Sequence, residues 1–594
     1  MRTALVIVLA LVTACQRSAP PPPKEGDGKG SAWMPPAPPI DAPMQPSYRT
    51  PESTEHIDAT VAGTGKTFMV VSEAEQATKV GKQILAGGGN AVDAAIATAF
   101  ALAVVHPTAG NLGGGGFAVV RVASGKFVAL DFREVAPGAA TADMFLGKDG
   151  KPTRESLRGH KASGVPGSVM GLWRLHQKLG KKPWKELVEP AIQLARDGFV
   201  IDEHTHQSIV LRAKDLLEHP KTGEIWAPGR VPKASGSTVA IPQLAVALER
   251  IRDSGADGFY KGETAKAIAD EMKAGGGLIT MEDLAKYEAV WREPLRFTYR
   301  GRAVASMPPP SSGGIVLAMT AGMLKSKELS RLEWHGADHV HLLAEVWRRA
   351  FAARNELLGD PAFVKDMPVE RLMDQAYLDK LAATIGPTAT PSKDVAALLE
   401  GNHTTNLVTV DGQGMAVALT TTLNTAWGSG VTVHGFLMNN EMDDFTAKPG
   451  SPNVFGLVQG TANKIEPGKR MLSSMSPTIV EDDQGELVMV VGAQGGPRII
   501  TAVWQTLSNV LDFGKHADAA VALPRVHHQH LPDKLFVEED SISKAADDTL
   551  RSMGYATDFS NAPRQFGASN AIVRTPTGWE GAADPRGGGA AMGD

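Results

Sequence analysis

Apolar positions run along the chain in blocks of different period, and each block predicts an element. Phe68-Met69-Val70-Val71 is a short continuous apolar run, the pattern of a buried strand. Ser72-Glu73-Ala74-Glu75 follows with capping-box spacing and predicts a helix that stops at Gly87-Gly88-Gly89. A second, alanine-rich helix is predicted after Asn90, ending by His106-Pro107. Its apolar stretch, Ala91 to Val105, is only 15 residues long and contains Asp93, so it reads as a buried core helix rather than a membrane span. The pattern from Trp173 to Ala274 is helical, and Val340 to Leu358 is a long amphipathic helix closed by Gly359-Asp360-Pro361. After about Gly401 the texture changes. Leu407 to Val410 and Met415 to Thr420 are strand-like and flank a turn with Asp411-Gly412, a hairpin signal. Strands are also predicted at Pro477–Glu481 and Glu486–Gly492, then a helix from Pro497 to Phe513. Helix-rich sequence leading into strand-rich sequence predicts a layered α/β body with buried sheets, beginning near Lys66.

The first 65 residues differ from this body. Residues 1–15 carry one positive charge at Arg2, an apolar stretch from Ala4 to Val12, and small residues before Cys15, which predicts a secretory signal. Leu11-Val12-Thr13-Ala14-Cys15 resembles the bacterial lipobox, and Cys15 is the only cysteine of the 594 residues. Cys15 is therefore expected to be lipid-modified, with Gln16 after it favouring the outer membrane of a bacterial cell envelope. Residues 16–65 are expected to form an extended tether, since Pro20 to Pro51 holds 11 prolines in 32 residues and few apolar ones. A single cysteine also excludes an intrachain disulfide and a thiolate metal cage. With 60 Lys and Arg against 65 Asp and Glu, the chain lacks the electrostatic footprint of a nucleic-acid-binding protein.

Several candidate sites fail on chemistry. Gly113-Gly114-Gly115-Gly116 is followed by Phe117-Ala118-Val119, not by the Gly-Lys-Ser/Thr of a phosphate loop, and suits close backbone packing beside a site. His335 and His339 have the spacing of a helical zinc pair, but Gly336 stands where the protease motif needs Glu. His341 and the run His527-His528-Gln529-His530 lack the spacing, so no metal or other cofactor is expected. Arg348, Arg349 and Arg354 on the amphipathic helix read as a solvated or ion-paired face. No Gly-x-Ser-x-Gly elbow occurs.

What remains is a dense run of Thr, Asn, Asp, Ser and Gly. Thr404-Thr405-Asn406 precedes Thr420-Thr421-Thr422-Leu423-Asn424, then Asn439-Asn440-Glu441-Met442-Asp443-Asp444-Phe445. Arg470-Met471-Leu472-Ser473-Ser474 and Gly492-Ala493-Gln494-Gly495-Gly496-Pro497 complete it. Together with Gly88 to Ala95, Asn111 to Phe117, Asp131-Phe132-Arg133-Glu134, Met307 to Gly314 and Ala583 to Arg586, this order resembles the γ-glutamyltransferase (γ-glutamyltranspeptidase, glutathione hydrolase) family of N-terminal-nucleophile hydrolases. The resemblance covers about Phe68 to Arg586.

The resemblance implies a four-layer αββα sandwich and a precursor that cuts itself between His403 and Thr404. The products would be a large subunit, 66–403, and a small one, 404–594, held together as a heterodimer. Thr404 would then be the nucleophile. Its freed α-amino group, with a reference pKa of about 7.7–8, can serve as its own base. Thr422 would hydrogen-bond the nucleophile, and the N–H groups of Gly495 and Gly496 would form the oxyanion hole. Arg133, with Ser473 and Ser474, would take the α-carboxylate of a γ-glutamyl group, and Asn424, Glu441 and Asp444 its α-ammonium. The implied donors are glutathione and other γ-glutamyl compounds, and the acceptors water, amino acids or dipeptides. The chain departs from the family in carrying Asn406 for a common His, which bears on maturation. Phe455 stands for a lid Tyr whose hydrogen bond to Asn424 it cannot make. A relative adapted to glutaryl-side-chain acylase work and a catalytically dead peptide-binding lipoprotein are the alternatives. Retention of Asp444 argues against the first, and of Thr404, Thr422, Gly495 and Gly496 against the second.

Overall fold

The predicted hairpin lies at the centre of the molecule, and its residues dictate why. The computed structural model describes residues 46–50, 62–392, 404–454, 457, 459–560 and 566–594. The strands of its two large sheets are, in chain order, β1 (Ala62–Gly65), β2 (Met69–Ser72), β3 (Gly115–Arg121), β4 (Phe127–Phe132), β5 (Val290–Arg292), β6 (Leu295–Tyr299) and β7 (Arg302–Ser306). They continue with β8 (Thr405–Val410), β9 (Ala416–Thr422), β10 (Thr478–Glu481), β11 (Leu487–Gln494), β12 (Ala568–Thr575), β13 (Gly578–Ala583) and β14 (Ala590–Gly593). One seven-stranded sheet has the order β1-β13-β12-β11-β10-β7-β6 and the other β14-β2-β8-β9-β3-β4-β5. In the hairpin, Thr405 pairs with Thr421 and Val410 with Ala416.

The two sheets face each other through β8, β9, β11 and β12. In the hairpin sheet Val408, Val410, Ala416, Ala418, Phe117 and Val119 turn toward the other sheet. Their alternates Leu407, Val417, Leu419, Ala118 and Val120 turn to the outer helices. Both faces of these strands are covered, so they read as continuous apolar runs rather than strict alternation. Helices α1 (Glu75–Ala86), α2 (Ala91–Val105) and α3 (Ser168–Leu179) cover that outer face. On the far side lie α4 (Gly313–Met323), α5 (Ala337–Leu357), which packs on α4, α6 (Arg498–Leu511) and α7 (Ala517–Ala522). The result is the expected four-layer αββα sandwich.

The alanine-rich helix α2 is buried along its whole length and capped reciprocally by Asn90 and Asp93. Three expectations need correction. The helix α1 is not opened by a capping box: its N-cap is Ala74, with no side-chain cap. Ser72 is paired in β2 and its Oγ lies 2.7 Å from Thr78 Oγ1, while Glu73 is buried against Asn406. The body also begins before Lys66. β1 pairs with β13, and Ser47, Tyr48 and Arg49, assigned to the tether, bond Asp540, Asp547 and the Trp334 carbonyl. A strand edge and the buried Asp547 carboxylate outweigh the proline-rich composition there. Finally, the contrast of helix-rich and strand-rich halves is only partial, because β1 to β7 come from before Gly401. No described helix is long and apolar enough to cross a membrane. Cys15, the signal segment, most of the tether, His403 and Phe455 lie outside the described residues.

Candidate active site

Thr404 stands one residue before β8, at the mouth of a pocket formed where the sheets' ends meet the loops that follow them. Beside it, β9 ends at Thr422, and Asn424 N–H donates to Thr422 Oγ1 at 2.7 Å. Asn424 holds a positive φ of 75°, and its Nδ2 donates to the Asn440 carbonyl at 3.0 Å. The glycine run fits close backbone approach: a Cβ on Gly114 would fall 2.0 Å from the Thr422 carbonyl oxygen. Arg133 directly follows β4. A single 3-10 turn, Glu441–Asp444, supplies both acids, and it is oriented from outside. Asn439 Oδ1 accepts the Glu441 N–H, and Gln459 and Asn463 both donate to the Asp444 carbonyl.

Ser473 and Ser474 lie on an extended segment clamped by Pro310 and Ser312. Ser473 N–H donates to the Pro310 carbonyl at 2.8 Å, and Ser312 donates to the Ser473 carbonyl from both N and Oγ. Gly495 and Gly496 form the turn between β11 and α6, with φ of 130° and 55°. A Cβ on Gly495 would sit 2.6 Å from Gly567 Cα, so that position admits no side chain. Their carbonyls accept Arg498 and Ile499 N–H at the start of α6, and a helix N-terminus favours negative charge.

One pocket of about 300 Å³ is lined by Thr404, Thr422, Asn424, Arg133, Glu441, Asp444, Ser473, Ser474 and Gly496. Of the residues expected in the site, Gly495 lies one position behind the lining, and His403 is outside the described residues. Within the pocket Arg133 is 0 % exposed and donates from Nη1 to Glu441, from Nη2 to Asp444 and from Nε to the Met471 carbonyl. The fork expected to hold a carboxylate is thus on the two acids expected to hold an ammonium. A zwitterionic head group would exchange with this pair, its carboxylate replacing the acids and its ammonium replacing the arginine. Burial raises the carboxyls of Glu441 and Asp444 above their ordinary range.

Three residues were given no place in the site from sequence. Glu134 reaches 3.5 Å from Arg133 Nη1, neither of its oxygens has a hydrogen-bond partner among the described residues, and burial pushes its carboxyl up to about 7. Arg354 lines the pocket, and burial lowers it to about 10. Three arginines on one amphipathic helix look alike in sequence; only the tertiary fold separates Arg354 from Arg348 and Arg349. All three are buried and bonded rather than solvated. Glu73 accepts from Asn406 Nδ2 at 2.9 Å, behind Thr404.

The histidine clusters are bound up in structure. His339 Nδ1 accepts the His335 N–H, His335 Nδ1 meets Ser541, and His341 meets Tyr555. His527 bonds Thr501, and His528 Nδ1 accepts the His530 N–H.

The family described as Gamma-glutamyltranspeptidase matches residues 77–594. The chain is 44 % identical over 567 residues to the glutathione hydrolase proenzyme of Escherichia coli K12, covering 94 % of this chain and 95 % of that one. It is 46 % identical over 541 residues to the glutathione hydrolase proenzyme of Pseudomonas aeruginosa, covering 88 % and 94 %. The cephalosporin acylase of Bacillus halodurans superposes with a TM-score of 0.78 at 25 % identity, over 95 % of this chain and 99 % of that one. With a family match over residues 77–594 and relatives 44–46 % identical over most of its length, this chain belongs to the γ-glutamyltranspeptidase family.

Proposed function

We propose that the chain is a self-processing glutathione hydrolase and γ-glutamyltransferase with Thr404 as nucleophile. The observation that carries this is the convergence of Thr404, Thr422 and Gly496 with Arg133, Glu441 and Asp444 in one pocket. Cleavage before Thr404 frees an α-amine beside its own hydroxyl. The amine takes the hydroxyl proton as Oγ attacks the γ-carbonyl carbon, and the carbonyl oxygen becomes an oxyanion at the Gly495 and Gly496 N–H groups. Collapse breaks the C–N bond, the proton passes to the leaving amine, and a γ-glutamyl ester remains on Thr404. Water or an amino-acid or dipeptide acceptor then attacks that ester and returns the hydroxyl.

The head group is read by charges that are themselves buried, so donors lacking the α-amine or α-carboxylate leave those charges unpaired and are rejected strongly. Keeping Glu441 and Asp444 on Arg133 favours γ-glutamyl over glutaryl donors, which carry no ammonium. Thr404→Ala tests the proposal: the purified variant is expected to run as one chain on a denaturing gel and to release no p-nitroaniline from L-γ-glutamyl-p-nitroanilide. Wild type is expected to give two fragments meeting at His403 and Thr404. An active, uncut Thr404→Ala chain overturns the reading.

The envelope address is part of the same proposal and rests on the lipobox-like sequence. Lipid attachment at Cys15 would leave the body exported and tethered, most readily at the outer membrane. Metabolic labelling with a fatty-acid analogue is expected to mark wild type and not Cys15→Ala; equal labelling of both removes the anchor.

A further inference from the structure

Arg354 is the pocket cation that the mechanism above leaves unused. It projects from the last turn of α5 and is 1 % exposed. Its Nε donates to Ser312 Oγ at 3.1 Å, its Nη1 to Asn355 Oδ1 and Gln459 Oε1 at 3.1 Å, and its Nη2 to Ser474 Oγ at 3.3 Å. All four acceptors are neutral, and among the described residues no carboxylate lies within ion-pair distance of it. The acid that attracts it, Asp444, is bonded to Arg133 instead, and a buried guanidinium without an ion pair of its own is costly unless an anion meets it. Arg133, by contrast, is already matched by Glu441 and Asp444.

The bond to Ser474 has a directional consequence. A serine hydroxyl has one proton and two lone pairs. Arg354 occupies a lone pair, and among the described residues the Ser474 proton has no acceptor. It is free to be donated into the pocket, and the neighbouring positive charge makes it a stronger donor.

We propose that Arg354 sets the donor preference for an α-carboxylate, by orienting and polarising the Ser474 hydroxyl toward it and by adding a positive charge with no ion pair of its own, since the acid that attracts it, Asp444, is bonded to Arg133. Arg354 is a positioning residue here, since it acts on the donor through Ser474. The proposal rests on the γ-glutamyl reading above.

The test compares two donors that differ only in the α-carboxylate, L-γ-glutamyl-p-nitroanilide and 4-aminobutanoyl-p-nitroanilide. Its readout is the ratio of their kcat/KM values in wild type, Arg354→Gln and Arg354→Lys, each scored for self-cleavage on a gel. A charge-assisted hydrogen bond and an unmatched charge together correspond to about a 10- to 100-fold preference. The ratio is therefore expected to fall by about 10- to 100-fold in Arg354→Gln. It should fall by about 3- to 10-fold in Arg354→Lys, which keeps the charge and loses the fork. The fall should lie in KM for the γ-glutamyl donor. A ratio that stays within twofold of wild type, however far both rates drop, assigns Arg354 a structural role and overturns the proposal. If Arg354→Gln does not mature, the ratio in Arg354→Lys decides by the same twofold limit. Wild type failing to turn over the γ-glutamyl donor at all would instead overturn the activity on which the proposal rests.

Discussion

Helix α5 carries two buried ionic clusters that are built to opposite rules. Near its middle, Arg348 donates to Glu345 and Asp533, and Arg349 to Glu345 at 2.6 Å. Glu345 also accepts from Thr390 N, Thr390 Oγ1 and Tyr555 OH, so its lone pairs are well used. Although burial opposes it, these hydrogen bonds and the two arginines hold Glu345 down at about 2, and Asp533 is held low as well. At the end of α5, Arg354 enters the pocket cluster, where burial wins and the carboxyls of Glu134, Glu441 and Asp444 are raised. Among the described residues, both oxygens of Glu134 and one of Glu441 lack hydrogen-bond partners there. A cluster that serves the fold satisfies its charges internally; one that serves a ligand leaves atoms for the ligand to satisfy.

The largest expected effects come from removing the central arginine of each cluster. Arg133→Gln is expected to lower kcat/KM for a γ-glutamyl donor by about 10³-fold, since the head-group carboxylate loses its fork. It should cost little stability, because carboxyls already raised toward neutrality can take up protons. Arg348→Met should do the reverse. It takes one of two arginines from Glu345 and the arginine from Asp533, at a cost of about 3 kcal/mol for two charge-assisted hydrogen bonds, read as a lower midpoint in urea. The activity of the molecules that remain folded should stay within a few-fold of wild type. If both variants lose activity and stability in the same proportion, the division between the clusters is wrong.

The sequence made one side of this division far more legible than the other. The hairpin and the α2 core helix could be read directly, because apolar period and turn residues act locally, whereas the Thr, Asn, Asp, Ser and Gly positions around the pocket were reached through the resemblance of their motifs to a known family. Thr404, Arg133 and the Ser473-Ser474 pair needed only their motifs, and the pocket gathers them. The failures came where tertiary partners override local spacing. Ser72 to Glu75 has capping-box spacing, yet Ser72 is committed to a sheet and Glu73 to Asn406, 333 positions away. Helix periodicity sets Arg354 and Arg348 on different sides of one helix, but does not say which of those sides meets the pocket. Glu134 follows Arg133 in sequence, so alternation would send it to the opposite face; both reach the site because β4 ends at Phe132.

Acid titration sharpens the contrast on the structural side. Glu345 is held at about 2 when folded and has an ordinary value of about 4.3 unfolded. It therefore contributes about 3 kcal/mol of stability above about pH 5, which is lost as the pH falls toward 2. Urea midpoints at pH 6 and pH 3 are expected to differ more in wild type than in Glu345→Gln. Equal differences would mean that the carboxylate is not held low.

The smallest expected effect belongs to Glu134, and it has the opposite sign. Its carboxyl titrates at about 7 because burial disfavours the charge more than Arg133 favours it. Below that pH it is neutral and Arg133 faces two acids. Above it a third negative charge stands 3.5 Å from Arg133 Nη1 and opposes the incoming α-carboxylate. KM for a γ-glutamyl donor should therefore rise by about tenfold between pH 6 and pH 8, as expected when one group of pKa about 7 must be protonated for binding. Glu134→Gln holds the neutral state and should flatten that rise, with KM near the low-pH wild-type value throughout. A Glu134→Gln enzyme whose KM still climbs tenfold would place the titration on another group, and Glu134 would then belong with Glu345 among the charges that only hold the fold.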